Sequence, residues 1–386
     1  MKPSKAFNGQ RLKTARLFRG MTVADLAAQM ELNRQTVSQY ESGQISDPGY
    51  SRIQDMSRIL NFPFDFFMST DTDSVRIHQA TYFRSLLTTN KKYRTEQKMK
   101  IRFTAILFAY LSEYISFPSL NLPKIRETDD IEDIAAELRY TWKLGTGPID
   151  NLIYHAEQNG IIVSSFSSSY NDIDAFSEKL TTADEDRYII AYSNNKTSAV
   201  RIHFDVAHEL GHILLHDWED EIEEISSEEF KEREQQANDF ASAFLLPREP
   251  FVRDIGNYAD KLPYYIELKK KWKVSIAAMI MRARKLQLIT HERYQLMMRQ
   301  MQKQGIRKIE PLDGVLTTSL PSVLKTAVHM LLNEKILTPR DIIEELTDEY
   351  GLALYAEQIE ELLSLEPGTL RMQDTPLHFD LEFRHQ

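Results

Sequence analysis

The chain has 386 residues, with 57 Asp or Glu against 47 Lys or Arg, a formal net charge of −10 and 42 % apolar residues, which suits a soluble protein of two or three cored domains. It contains no cysteine, which excludes disulfide scaffolds and thiolate metal sites. No run of about 18 apolar residues is present and the basic start lacks an apolar leader, so the expectation is a cytoplasmic protein with no membrane contact.

From Phe7 to Phe67 the pattern predicts five short helices: Asn8 to Gly20, Thr22 to Met30, Asn33 to Ser42, Tyr50 to Leu60, and a final turn near Pro63. The stretch Met21 to Gly43 has helix-turn-helix spacing, with Leu26, Ala27, Leu32 and Val37 packing two helices and Thr22 and Asn33 as N-caps. The second of these helices exposes Arg34, Gln35, Thr36, Ser38 and Gln39, side chains suited to base edges and phosphates of double-stranded operator DNA, and Thr22 joins them as a DNA-facing candidate. A helical bundle making only protein contacts is the alternative. The segment resembles the XRE/Cro/C1 helix-turn-helix family, including Glu41-x-Gly43 and Pro48; Val23 stands where that family commonly has a phosphate-contacting Gln, which implies weaker DNA affinity.

Charge separates this end from the rest. Residues 1 to 103 hold 17 Lys or Arg and 9 Asp or Glu, a net of +8, which leaves −18 for the remainder. Ser69 to Ser74 reads as a polar, acidic linker, and 75 to 125 as a largely helical connector in which Ile106 to Ile115 is a buried helix. The basic run Lys91 to Arg102 either extends the nucleic-acid footprint or forms a solvated helix face.

Gly160 to Phe166 and Arg187 to Tyr192 are short strand candidates, and an edge strand beside a catalytic site would hold an extended peptide through main-chain hydrogen bonds. They precede Arg201 to His216, which carries His208-Glu209-Leu210-Gly211-His212 inside a helical apolar stripe of Val206, Ala207, Leu210, Ile213 and Leu214. Residues four apart share a helical face, so His208 and His212 can both reach one zinc ion at about 2.0 to 2.1 Å. Glu209 can then act as general base toward water, and Gly211 is expected to leave room beside the metal. The alternative is a surface helix with two solvated histidines.

With cysteine absent, the third ligand must be a carboxylate or another histidine. Ser226 to Pro247 reads as a helix with a Ser226/Glu229 capping box and Pro247 as its stop. Its buried face is Phe230, Ala237, Ala241 and Phe244; Glu234 falls on that stripe, whereas Glu228, Glu229 and Glu232 do not. Glu234 is therefore the candidate ligand, against the alternatives of a stripe-edge Glu or one paired with an Arg. His216 lies about 12 Å along the helix from His208, too far to share the ion, and reads as a supporting histidine. His203 is placed just before the helix. The acidic stretch Glu219 to Glu224 reads as a solvated loop; the alternative is that it repels acidic substrates or favours a basic one.

The run from Ile131 to Pro247 resembles the ImmA/IrrE family of metallopeptidases. The resemblance is carried by Trp142 to Ile149, Gly160 to Val163, Asp174-Ala175-Phe176-Ser177, the His-Glu-Leu-Gly-His helix, and Glu234-x-x-Ala-Asn-x-Phe-Ala ending at Leu245-Leu246-Pro247, with His203 departing from the family's Arg. It implies a zincin-like fold with His208, His212 and Glu234 as zinc ligands and Glu209 as base, and cleavage of a regulatory protein, often a helix-turn-helix repressor. Tyr264 to Leu288 and Thr290 to Gln304 are expected to be helical, and Pro321 to Leu365 to add two or three helices without site chemistry.

The expected architecture is α+β and mainly helical. Its parts are a helix-turn-helix domain at 1–70, a helical connector at 71–125, a zinc peptidase domain with a small sheet at 126–305, and a helical region at 306–386. The expected function is a DNA-binding regulator, a homodimer candidate, fused to a zinc endopeptidase that cleaves a repressor-type protein or itself under stress, phage or DNA damage. The competing reading is a non-catalytic, metal-stabilised or antitoxin-like regulator.

Overall fold

The computed structural model describes residues 6–68, 76–83, 91–126, 129–166, 175–181, 186–193, 198–218 and 225–371, with backbone alone for 76–83 and 91–94. The expected linker at Ser69 to Ser74 and the acidic stretch Glu219 to Glu224 lie outside the described residues.

Capping chemistry sets the first helices. The Asn8 side chain accepts from the Gln10 amide at the start of α1 (Gly9–Phe18). Thr22 and Asp25 form a reciprocal capping box on α2 (Val23–Gln29), and Asn33 accepts from Thr36 at the start of α3 (Arg34–Glu41). The fourth helix, α4 (Tyr50–Leu60), ends at Asn61 in the left-handed region, and a 3-10 turn follows at Phe64–Met68. Gly9 is required where α1 crosses α3, because a Cβ there would lie 1.9 Å from the Tyr40 carbonyl oxygen. A buried Arg16–Glu41 pair, bonded at 2.5 and 2.9 Å, ties α1 to the end of α3.

This module is not loosely tethered. Phe18 stacks at 5.0 Å on Phe103 of α5 (Lys91–Ser112), and Phe62 and Phe66 pack on the same ring. The far part of α5 meets the C-terminal helices α14 (Val323–Asn333), α15 (Pro339–Asp348) and α16 (Ala356–Leu362); Tyr110 and Tyr114 both donate to Glu345, at 2.9 and 2.7 Å. Gln358 of α16 in turn donates to the carbonyl of Asn61, at 3.0 Å.

The sheet has the order β1-β3-β4-β2. Its strands are β1 (Arg76–Phe83), β2 (Ile161–Phe166), β3 (Ala175–Thr181) and β4 (Asp186–Ser193). β2 and β4 are parallel, while β3 is antiparallel to β4 and β1 to β3. β2 and β4 lie where sequence patterning placed strands. β1 falls within the stretch read as a helical connector and instead extends the sheet.

Alternation along these strands divides the molecule. Ile162, Phe166, Phe176, Leu180, Ile189 and Ala191 point into a core shared with the N-terminal helices, α5 and the C-terminal helices. Ile161, Val163, Ala175, Ile190 and Tyr192 point into a second core formed with α6 (Ile131–Thr141), α7 (Leu152–Gln158), α8 (Ala199–Leu215), α9 (Ser227–Leu245) and α10–α13. The stretch Tyr264 to Leu288, expected to be helical, forms two helices, α11 (Tyr264–Trp272) and α12 (Ile276–Lys285). Lys273 turns left-handed at φ 52° and Ser275 caps the second helix, so the apolar pattern continues while the backbone breaks.

α8 and α9 pack so closely that Gly211 has no space for a side chain. A Cβ would come within 3.0 Å of the Ala237 Cα and 3.2 Å of Phe240. Gly211 thus makes room for α9 rather than for a metal ion, because its missing side chain faces the neighbouring helix backbone. Gly211→Ala gains about 1 kcal/mol of helix propensity but forces α9 outward, with overpacking cost of about 1–3 kcal/mol. A lowered thermal midpoint is expected; an unchanged or raised one would show that α9 yields freely.

Candidate metal centre and nucleic-acid-facing helix

The middle of α8 is buried on all sides: His208 and His212 are 0 % exposed and Glu209 1 %. A helix this apolar supports three polar side chains only if they find one another. His208 and His212, one turn apart, aim their Nε2 atoms at a common point and stand 3.0 Å apart. From α9, Glu234 places Oε1 3.2 Å from His212 Nε2 and Oε2 3.5 Å from His208 Nε2. These three residues form the one His/Asp/Glu group among the described residues with ligand atoms all within 4.8 Å of each other.

Protonation suits the same reading. Burial, reinforced by His208, pushes His212 down to about 4, so its ring is neutral at pH 7. Burial alone would raise Glu234, but its hydrogen bonds and charge interactions with His208 and His212 outweigh that and hold it at about 2, ionised. A half-buried, ionised carboxylate beside the neutral His212 ring and His208 is the nitrogen-and-oxygen donor set that a zinc-like dication takes.

His216 closes α8 and orients the ligand next to it. Its Nε2 lies 3.0 Å from Gln236 Oε1 on α9, and its Nδ1 lies 3.0 Å from His212 Nδ1. Burial pushes His216 down to about 3, so the ring is neutral and Nε2 donates to Gln236. Nδ1 of His216 must then accept from His212 Nδ1–H, which leaves His212 Nε2 as the unprotonated nitrogen at the site. The ring thus supports His212 without joining it.

Glu209 projects toward β3, where the Ser177 hydroxyl donates to its Oε2 at 2.6 Å; Ser177 is fully buried. Composition and periodicity did not single out Ser177, and its signal was membership of the Asp174 to Ser177 segment. His203 lies inside α8, four residues past its start, rather than before it: its Nε2 is 2.8 Å from Thr318 Oγ1 and burial pushes it down to about 4. Its polar partner comes from the segment after α13 (His291–Lys303), so it ties α8 to the wrapping C-terminal chain.

On α9, Phe230, Ala237, Ala241 and Phe244 are buried while Glu228, Glu229 and Glu232 are exposed. Ser226 accepts from the Glu229 amide, which is one half of the expected capping box. The helix stops at Leu246 before Pro247, which starts α10 (Arg248–Ile255).

At the other end, α3 presents Arg34, Gln35 and Ser38 to solvent, with Thr36 and Gln39 half-buried and Val37 and Tyr40 packed inward. Thr22 is exposed at the start of α2. Thr36 Oγ1 donates to Asn33 Oδ1 at 2.9 Å and Thr22 Oγ1 accepts from the Asp25 amide at 3.1 Å, so both hydroxyls serve helix caps as well. The basic run beginning at Lys91 continues into α5, where Lys100 pairs with Glu96 at 3.2 Å and Ile101 and Phe103 are buried.

Among the described residues no helix is long and apolar enough to cross a membrane. No curated protein matches the chain. Residues 12–67 match a helix-turn-helix domain family. Residues 156–284, which contain β2 to β4, α8 with His208 and His212, and α9 with Glu234, match the M78 peptidase family, described as an IrrE N-terminal-like domain. The chain thus carries an XRE-type helix-turn-helix domain at 12–67 and an IrrE/ImmA N-terminal-like peptidase-family domain at 156–284.

Proposed function

We propose that this chain is a DNA-binding transcriptional regulator whose body is a zinc-dependent endopeptidase, cleaving a repressor-type regulatory protein or its own chain in a stress, phage or DNA-damage response. The observation that carries the reading is the convergence of His208, His212 and Glu234 beside a buried Glu209. A structural ion alone would need no neighbouring base and would normally be closed by a fourth protein ligand.

In this reading His208 Nε2, His212 Nε2 and a Glu234 oxygen hold the ion. When bound, zinc supplies Lewis acidity that polarises the scissile carbonyl and acidifies water. Glu209 removes a proton from the attacking water as its oxygen adds to the carbonyl carbon; the same carboxyl then delivers that proton to the amine nitrogen as the C–N bond breaks. Ser177, donating to Oε2, holds Glu209 in one orientation. His216 keeps the His212 proton on Nδ1. The exposed face of α3, on the net-positive amino-terminal part of the chain, supplies operator contacts through Arg34, Gln35, Ser38 and Gln39, with Thr22 and Thr36 at helix starts facing phosphates.

Protein purified without added metal is expected to carry about one zinc per chain, as a three-ligand site requires, and Glu234→Ala to lose most of it by elemental analysis. Absence of zinc from wild type, with no uptake on titration, would instead favour the non-catalytic regulator. Glu209→Gln should keep the metal and lower the cleavage rate on the order of 10²–10⁴-fold, scored by mass spectrometry of new amino termini in a peptide library. Undiminished cleavage by that variant would remove Glu209 from the mechanism. For the amino-terminal domain, Arg34→Ala with Gln35→Ala should weaken binding to DNA selected in vitro by the wild type, by about 10- to 100-fold; unchanged gel shifts would displace α3 as the recognition helix.

A further inference from the structure

A peptidase that takes its substrate as an extended chain needs a free strand edge beside the catalytic carboxylate, because main-chain hydrogen bonds then set the register of the peptide. β3 is the strand in that position: Ser177, at its third residue, donates to Glu209. One side of β3 is paired with β4. The outer edge of β2 lies two strand spacings from β3, about 10 Å, too far to present a peptide to Glu209. Among the described strands, the only edge adjacent to the site is therefore the other side of β3, and β1 occupies it.

β1 is foreign to the rest of the peptidase body. It comes from between the helix-turn-helix domain and α5, outside residues 156–284. It runs antiparallel to β3 with Tyr82 opposite Ser177 and Phe83 opposite Phe176. Its ladder is interrupted, because the register shifts between Ile77 and Thr81, whereas β3 and β4 pair without a shift from Ala175 to Thr181. An edge strand with a broken ladder gives up fewer hydrogen bonds when it leaves. Its flanking bodies are pinned together by Phe18 on Phe103, so the strand stays tethered close to β3 and competes intramolecularly with any added chain.

We propose that the outer edge of β3 is the seat for an extended substrate peptide and that β1 is its intramolecular occupant, so that another chain is admitted only when β1 departs. The choice of this edge as a substrate seat rests on the peptidase reading above; the pairing of β1 along it does not.

The full chain offers a clean test because it has no cysteine of its own. Arg76→Cys with Thr181→Cys joins facing residues and locks β1 when oxidised. Thr81→Pro with Tyr82→Pro removes at least one ladder donor, since alternate amides of an edge strand face its neighbour. The probe is a fluorescein-labelled synthetic peptide with the sequence of residues 76–83, followed by anisotropy in the zinc-loaded protein. The proline variant should bind it at least 10-fold more tightly than the oxidised lock, and amide exchange at Phe176 to Glu178 should be at least 10-fold faster in the reduced than in the oxidised cysteine variant. Equal binding and equal exchange would overturn the seat. If the proline variant does not fold, the exchange comparison decides alone, and equal rates overturn the proposal. Peptide that binds the proline variant but is never cut would leave the seat standing and refute the peptidase reading.

Discussion

The site depends on one close approach, the crossing of α8 and α9 at Gly211 and Ala237. A Cβ at Gly211 would already crowd Ala237 at 3.0 Å, and the same crossing places Glu234 within 3.5 Å of both His208 and His212. The apolar faces around it, Val206, Leu210, Phe240 and Phe244 among them, drive the crossing by burial, and the three polar groups then lie where water is excluded. Exclusion of water is what keeps His212 neutral and makes the charge on Glu234 depend on its neighbours. The hydrophobic packing and the donor set are thus two results of the same contact.

The sheet performs a second service. With apolar residues alternating along each strand, one face receives α8 and the metal-site candidates while the other receives α5, the C-terminal helices and, through Phe103, the helix-turn-helix domain. A change in how the amino-terminal domain docks on α5 therefore bears on the same layer that supports Ser177 and Glu209. The C-terminal chain adds a further restraint. Lys269, fully buried, pairs with Glu310 and Asp313 at 2.8 and 2.7 Å, and Glu310 also accepts the first amides of α12. Such a pair would be costly without these extra bonds, and its effect is to fasten the segment that carries Thr318 across His203.

Net charge is divided unevenly along the chain. The amino-terminal basic surplus and the exposed polar face of α3 favour a polyanion, whereas the acidic remainder repels one.

Much of the molecule was legible from local chemistry. Thr22 and Asn33 were readable as caps because short side chains before apolar helices satisfy the first amides, a purely local interaction. His208, Glu209, His212 and Glu234 were readable because a helical period of 3.6 residues determines which side chains share a face before any partner is known. The same periodicity could not say what that face meets. It could not show that Gly211 faces a helix, that His203 lies within α8 against Thr318, that Lys273 breaks a continuous apolar pattern, or that residues 76–83 pair as a strand with β3. Three of these are decided by contacts between residues far apart in the chain: Gly211 with Ala237, His203 with Thr318, Tyr82 with Ser177. The sequence by itself determined the elements and the chemistry they carry; the tertiary structure alone decided their neighbours, because packing and strand pairing are set by the surfaces brought together and not by the period within either one.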